Sequence, residues 1–172
     1  MKKRMLWILL LLPAALAAYY FYPSAPLPQG SVVDRLVVQK SKRKMEAYAN
    51  GRLLKTYTIA LGKNPEGHKQ FEGDNRTPEG SYTINARNPN SGYHKNLGVS
   101  YPNESDLAHA QKLGRPAGGE IKIHGLRNGS AGYINKFHHF KDWTAGCIAV
   151  TNQEIDELYV AVKLDAIIEI LP

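Results

Sequence analysis

From residue 34 onward, the hydrophobic and polar positions of the chain alternate in short runs that are typical of β-strands. Strands are predicted over residues 34–39, 44–49 and 53–61, and Asn50-Gly51 between the last two is a strong hairpin signal. These three segments are predicted to form an antiparallel meander. Further strands are predicted over residues 81–85, 120–124 and 165–170, with a turn at residues 77–80.

Two segments carry helix signals instead. Asn103 is predicted to cap a helix over residues 104–113, which ends before Gly114, and Thr151-Asn152-Gln153-Glu154 has the pattern of a capping box that opens a helix through about residue 162. Strands dominate, and no regular alternation of strand and helix appears. The pattern therefore predicts a mainly β domain, a β-sandwich or partial barrel with short helices, rather than a doubly wound sheet.

The N-terminus has a different pattern. Lys2-Lys3-Arg4 precede an uncharged stretch over residues 5–22, which as a helix would be about 27 Å long, close to the thickness of a bilayer core. Ala15-Leu16-Ala17 is similar to a signal-peptide cleavage site, whereas the aromatic run at residues 19–22 is similar to the interfacial belt of a retained anchor. Both interpretations stay open. Each predicts that the rest of the chain is exported, and an uncleaved segment would contact the membrane.

Residues 23–30 are rich in proline and are predicted to form an extended linker between the membrane and the domain. The remaining residues, 31–172, are enough for one domain with its own core. The net charge of the chain is +7, and three of its basic residues lie in the N-terminal segment. Because the remaining basic residues are interleaved with acidic ones, the charge argues against a nucleic-acid binder.

Cys147 is the single cysteine of the chain. An exported protein with one thiol cannot form an internal disulfide, so Cys147 is interpreted as a nucleophile. A free thiol has a pKa of about 8.5 and needs a base to ionise at neutral pH. His124, at the end of a predicted strand and followed by Gly125, is the preferred base. A buried cysteine is also often an inert core residue, and that alternative stays open at this point.

Gly146 directly precedes the thiol. A glycine here permits an unusual backbone angle, so that the N–H groups of Gly146 and Cys147 could converge on a developing oxyanion. An ordinary glycine turn explains the residue equally well. The histidines show no spacing typical of a zinc site, and neither a metal nor another cofactor is predicted.

These residues resemble the catalytic motif of the L,D-transpeptidases of the YkuD type. His124-Gly125 is followed, after a spacer, by Thr144-Ala145-Gly146-Cys147-Ile148. The resemblance extends through residues 62–65, 73–82 and 149–152, so that it covers most of residues 34–172. Several motifs in the same order make a chance agreement improbable.

The resemblance implies a β-sandwich-like catalytic domain on the periplasmic side of a bacterial cell envelope, with peptidoglycan stem peptides as substrates. Cys147 would attack the meso-diaminopimelate carbonyl of a tetrapeptide stem and expel the terminal D-alanine, and an amine of a second stem would then take the acyl group. His124 would act as general base and then acid, with its ring oriented by the Gly125 carbonyl.

The chain also departs from the family pattern. Members commonly have histidine before the Gly-Cys pair and arginine or asparagine two residues after the cysteine, where this chain has Ala145 and Ala149. Thr144, Trp143, Arg127 and Tyr133 are the predicted substrate-binding residues.

Two other functions remain open from the sequence. With water as the acceptor, the protein would be a hydrolase that trims stems or releases an envelope protein attached to peptidoglycan. A degenerate site would leave a peptidoglycan-binding module without turnover.

Overall fold

The computed structural model of the chain describes residues 13–22 and 24–172. Residues 13–21 are helical (α1). Within the described ranges, no helix combines the length and the apolar character that a membrane crossing requires. The predicted signal or anchor lies partly outside the described residues and stays a prediction.

The domain is built on an eight-stranded sheet. Its strands are β1 (Val33–Gln39), β2 (Lys44–Ala49), β3 (Arg52–Thr58), β4 (Gly80–Ser91), β5 (His94–Val99), β6 (Lys122–His124), β7 (Ile148–Ala149) and β8 (Val162–Leu171). Their order in the sheet is β3-β2-β1-β8-β4-β5-β6-β7. The predicted mainly β fold class is confirmed, in the form of a curled sheet with short helices.

The predicted meander of β1, β2 and β3 is confirmed, with both pairs antiparallel. Its second turn is Asn50-Gly51, where both residues have positive φ, 49° and 78°, as a tight hairpin of this type requires. β8 pairs in parallel with β1 and antiparallel with β4. The last strand of the chain therefore joins the meander to the half of the sheet that carries β5, β6 and β7.

Both predicted helices form, as α2 (Glu104–Lys112) and α4 (Asn152–Ala161). Each begins with a capping box, Asn103 with Asp106 in α2 and Thr151 with Glu154 in α4. The structure adds a short helix, α3 (Ala131–Ile134), and a 3₁₀ helix (Asn135–Phe140), which the sequence pattern did not predict.

The core lies between the sheet and α4, whose Ile155 and Leu158 are fully buried. Leu27 belongs to the same hydrophobic cluster, and its backbone N–H donates to the Glu157 carboxylate at 2.9 Å. Residues 24–28, part of the predicted linker, have no regular secondary structure. This segment nevertheless packs against the domain, because the side chain of Leu27 is buried in the hydrophobic core.

Candidate active site

A cleft of about 530 Å³ lies over β5, β6 and the loop before β7, and it contains both Cys147 and His124. The β4–β5 hairpin forms one wall and the cysteine loop forms the other. The remaining lining residues are Lys63, Asn88, Asn90, Ser91, Gly92, Tyr93, Asn96, Glu120, Lys122, Trp143, Thr144 and Ala145. The structure therefore brings the two predicted catalytic residues into one open groove.

His124 is the last residue of β6, and its side chain is 5% exposed. Its Nδ1 lies 2.7 Å from the carbonyl oxygen of Gly125. A carbonyl oxygen can only accept, so Nδ1 carries the proton of the neutral ring. Burial lowers the pKa of His124, which favours that neutral form. Nε2 therefore has a free lone pair, as a general base requires.

Two aromatic side chains hold the imidazole in place. The ring centroid of Tyr93 is 4.7 Å from that of His124, and the Trp143 ring meets it edge-on at 5.6 Å. These contacts exclude water from the ring faces and fix the ring plane. The cause of the lowered pKa is thus visible in the packing.

Cys147 directly precedes β7, which pairs in parallel with β6 through Ile123 with Ile148 and His124 with Ala149. This register sets Cys147 beside Lys122. His124 is two residues further along β6, so its side chain points to the same face of the sheet as that of Lys122. The two catalytic candidates are therefore diagonal neighbours across one strand pair. The pairing of the strands, and not a local loop contact, brings them together.

The thiol is partly exposed and donates to the carbonyl oxygen of Glu120 at 3.3 Å. Burial raises the pKa of Cys147, and the backbone N–H and charge of Lys122 lower it by less. The sulfur thus rests as a neutral thiol. Among the described residues its acceptor is Glu120 and not His124, so rotation about the Cα–Cβ bond must precede proton transfer.

Thr144 organises the loop before the sulfur. Its hydroxyl donates to the carbonyl oxygen of Cys147 at 2.7 Å and accepts from the N–H of Gly146 at 3.1 Å. Gly146 has a φ of +135°, and a Cβ there would lie 2.7 Å from the carbonyl oxygen of Arg76. Only glycine fits this position.

These contacts correct one prediction. Gly146 was expected to offer its N–H to an oxyanion, but that N–H is engaged by the Thr144 hydroxyl. Of the two predicted donors, the N–H of Cys147 remains. Thr144, predicted to bind substrate, lines the cleft and also shapes the nucleophile loop.

The loop is also anchored from behind. The Asp142 carboxylate accepts from the Arg43 guanidinium at 2.7 Å and from the Leu61 N–H at 2.9 Å. The backbone of Leu61 in turn accepts from the N–H of Thr144 at 3.1 Å. Arg43, in the turn between β1 and β2, and Leu61, which follows β3, therefore fix the loop that carries Cys147.

The remaining predicted substrate-binding residues fall into different places. Trp143 lines the cleft, and its role in binding substrate stays a prediction. Arg127 lines a neighbouring pocket of about 460 Å³, whose shared wall with the cleft is formed by Tyr93 and Trp143. Tyr133 is 84% exposed on α3 and does not line the cleft. The structure therefore does not bring Tyr133 into the cleft with Cys147 and His124, and its role in substrate binding stays a prediction.

The two departures from the family motif occupy contrasting positions. Ala145 is exposed and lines the cleft, so a missing histidine there leaves the groove wider. Ala149 is fully buried between His124, its partner in β6, and Ala60, whose carbonyl accepts its N–H at 2.8 Å. A long side chain at position 149 would have to displace that packing.

The sequence interpretation missed Tyr93 and Asn96, which line the cleft from β5 and the turn before it. The signal that predicts them is the turn-forming segment Asn88-Pro89-Asn90-Ser91-Gly92, which marks a hairpin. Within residues 13–22 and 24–172, no group of three or more His, Cys, Asp and Glu side chains forms a candidate metal site.

Comparison with known proteins identifies the class to which this fold and site belong. Residues 33–170 match the YkuD family model, described as the L,D-transpeptidase catalytic domain. The chain belongs to this family.

A relative named "Putative L,D-transpeptidase YafK" from Escherichia coli (strain K12) is 31% identical over 126 residues, which are 70% of this chain and 43% of that protein. The chain thus spans less than half the length of this relative.

Two solved structures share the fold. The helical cell shape determining protein Pgp2 from Campylobacter jejuni has a TM-score of 0.59 at 25% identity, covering 82% of this chain and 48% of Pgp2. An L,D-transpeptidase from Mycobacterium smegmatis has a TM-score of 0.53 at 14% identity, covering 80% of this chain and 58% of that chain.

Proposed function

We propose that this protein is a cysteine-dependent L,D-transpeptidase that acts on peptidoglycan stem peptides. One observation carries the proposal: Cys147 shares a peptide-sized cleft with a neutral imidazole whose Nδ1 proton is held by the Gly125 carbonyl. This is the tautomer that can take a proton from a thiol at Nε2. The family membership of residues 33–170 supports the same chemistry.

The first half-reaction forms a thioester. Nε2 of His124 takes the thiol proton, and the sulfur of Cys147 attacks the carbonyl carbon of the third stem residue. The carbonyl oxygen becomes an oxyanion, for which the N–H of Cys147 is the donor left in the loop. When the C–N bond breaks, the imidazolium returns its proton to the leaving amine, and the terminal D-alanine departs.

The second half-reaction releases the enzyme. An amine of a second stem attacks the thioester carbon, and His124 takes a proton from that amine. The C–S bond breaks, and the thiolate recovers a proton from the imidazolium. The product is an amide that links the third residues of two stems; with water in place of the amine, the product is a free carboxylic acid.

The charges of the cleft suit a substrate that carries carboxylates. Lys63 and Lys122 both line it, while Glu120, its one acidic lining residue, is ion-paired with Lys122. Lys63 is exposed at the rim. A stem peptide, with its free carboxylates, is attracted by this excess of positive charge.

We place this activity in the cell envelope, on the periplasmic side, with residues 5–22 as a signal or inner-membrane anchor. The similar Pgp2 is named for determining helical cell shape. Remodelling of the wall is the corresponding process proposed for this chain.

Product analysis tests the proposal. The purified full-length chain is incubated with disaccharide tetrapeptide, and the products are identified by mass spectrometry. Transpeptidation predicts a cross-linked dimer together with free D-alanine, and Cys147→Ala should form neither. Free D-alanine without a dimer would show that water is the acceptor. Unchanged stem masses with a folded wild-type chain would contradict both activities and leave a binding module.

A further inference from the structure

Asn96 lies next to the catalytic imidazole on the floor of the cleft. It pairs with His124 across β5 and β6, and it pairs with Asn88 across β4 and β5. Directly opposite residues in antiparallel strands point to the same face. Asn88, Asn96 and His124 therefore form a row across three strands, and all three line the cleft.

The side chain of Asn96 is 5% exposed overall, and no hydrogen bond of its amide exists among residues 13–22 and 24–172. Neither Oδ1 nor Nδ2 of Asn96 is both unpaired and fully occluded from solvent. Because the amide makes no hydrogen bond within the described part of the chain, these two atoms are reached from the cleft. Buried amides in proteins are nearly always hydrogen-bonded. An unpaired amide that faces a cleft is thus available to a ligand group.

The order of the strands tells which part of a substrate would lie there. β6 stands between β5 and β7, so Asn96 is on one side of His124 and the Cys147 loop is on the other. The reacting carbonyl must lie at the sulfur, and the leaving amine must reach Nε2. The residue that follows the scissile bond therefore extends over β5, onto Asn96.

We propose that Asn96, with Asn88 beside it, forms the subsite for the leaving residue of a peptide that ends in a free carboxylate. The Asn96 Nδ2 donates to that carboxylate, and its Oδ1 is the acceptor for the amide N–H of the same residue. Both halves of the side chain are then satisfied by one terminal amino acid. This inference rests on the proposed function, since it assumes that a peptide is acylated at Cys147.

Binding measurements on a variant that cannot react test the subsite. Calorimetry of Cys147→Ala compares the tetrapeptide stem with the tripeptide stem, which lacks the terminal D-alanine. Adding Asn96→Ala should weaken tetrapeptide binding about tenfold, the loss expected for a hydrogen-bonded pair to a charged group, and should change tripeptide binding less than about twofold. Asn85→Ala, an exposed asparagine of β4 outside the cleft, should change neither.

An isosteric variant separates recognition from a structural role. Asn96→Asp keeps the shape but replaces the donor with a negative charge, so it should weaken tetrapeptide binding more than Asn96→Ala does. If Asn96→Asp binds the tetrapeptide as well as wild-type Asn96 does, the subsite is wrong. The proposed subsite would also be overturned if Asn96→Ala weakened the binding of tetrapeptide and tripeptide equally. Failure of both stems to bind Cys147→Ala would overturn it as well. If Asn96→Ala selectively weakens tetrapeptide binding but the wild-type chain shows no turnover, the subsite is retained and only the proposed reaction is refuted.

Discussion

The Nδ1 of His124 donates to the carbonyl oxygen of Gly125, the next residue in the chain, at 2.7 Å. The hydrogen bond fixes both the tautomer and the orientation of the base without a carboxylate partner. The proposed base is therefore oriented by a backbone carbonyl, which a side-chain substitution cannot remove.

The expected pH dependence of acylation follows from the two proposed catalytic groups, Cys147 and His124. Burial holds the pKa of His124 below 6.5, so the neutral base persists as the pH falls through that value. The acylation rate of the wild type should stay level down to pH 6.5 and fall only below it. The rate is measured with a β-lactam, whose ring opens to a thioester on the enzyme, by mass spectrometry.

Removing the imidazole should change that profile. His124→Ala should react at least about a hundredfold more slowly at pH 7.5, because a general base contributes about 10²–10⁴-fold. Its rate should then climb with pH toward the pKa of the Cys147 thiol, which burial raises above its ordinary value. A variant that keeps the wild-type rate at neutral pH would show that His124 is not the base.

Thr144→Val should impair the reaction with limited loss of stability. Valine has the same shape but can neither donate to the Cys147 carbonyl nor accept from the Gly146 N–H. Leaving these groups unpaired should lower the free energy of unfolding by about 1–3 kcal/mol, and acylation should slow about tenfold or more. Thr144→Ser, which keeps the hydroxyl, should retain most of the rate, and Thr58→Val on the exposed face of β3 should have no effect.

Gly146→Ala tests the backbone geometry at the sulfur. The new Cβ would lie 2.7 Å from the carbonyl oxygen of Arg76, at a φ of +135°. The free energy of unfolding should fall by more than about 2 kcal/mol and acylation should be lost. Gly51→Ala is the matched control: φ there is also positive, +78°, but nothing lies within 4 Å of the added methyl. Its cost should be about 1 kcal/mol with full acylation, and equal costs for the two variants would contradict the steric account.

Acid should destabilise the domain through two histidines of the 3₁₀ helix. Burial lowers the pKa of His138 to about 3 and that of His139 to about 4. The unfolded chain takes up these protons first, near pH 6.5, so stability is lost as the pH falls from 6.5 toward 4. Each histidine should contribute a slope of up to about 1.4 kcal/mol per pH unit to the free energy of unfolding.

Urea unfolding between pH 7 and pH 4.5 measures this slope. His138→Leu should reduce it by about one proton, whereas His109→Leu, on the exposed side of α2, should leave it unchanged. The same slope in wild type and His138→Leu would contradict the assignment of the buried proton-binding group.

Local signals in the sequence were enough to predict the meander and the two capped helices. Asn50-Gly51 and the capping boxes at Asn103 and Thr151 act over a few residues, so no tertiary information is needed to recognise them. The outer half of β4 was missed because its exposed residues include Pro89 and two asparagines, Asn88 and Asn90, a composition typical of loops. The parallel pairing of β8 with β1 is a long-range contact that no local pattern reports.

The candidate site was predictable to a similar extent. Cys147 and His124 were identified from residue chemistry and the family motif, and the structure places both in one cleft. Tyr133 was assigned because its side chain could contact a stem peptide, and residue type alone does not show that it lies outside the cleft. The hydrogen bond from the Gly146 N–H to Thr144 depends on the conformation of a loop, and residue types alone do not reveal it.

The most direct test of the central claim is acylation of the full-length chain by a carbapenem, followed by peptide mapping. The account predicts a stoichiometric mass increase of one ring-opened carbapenem on the peptide that contains Cys147, and a steep loss of labelling in folded His124→Ala. A folded wild-type chain that stays unlabelled, or one labelled at any other residue, would contradict it.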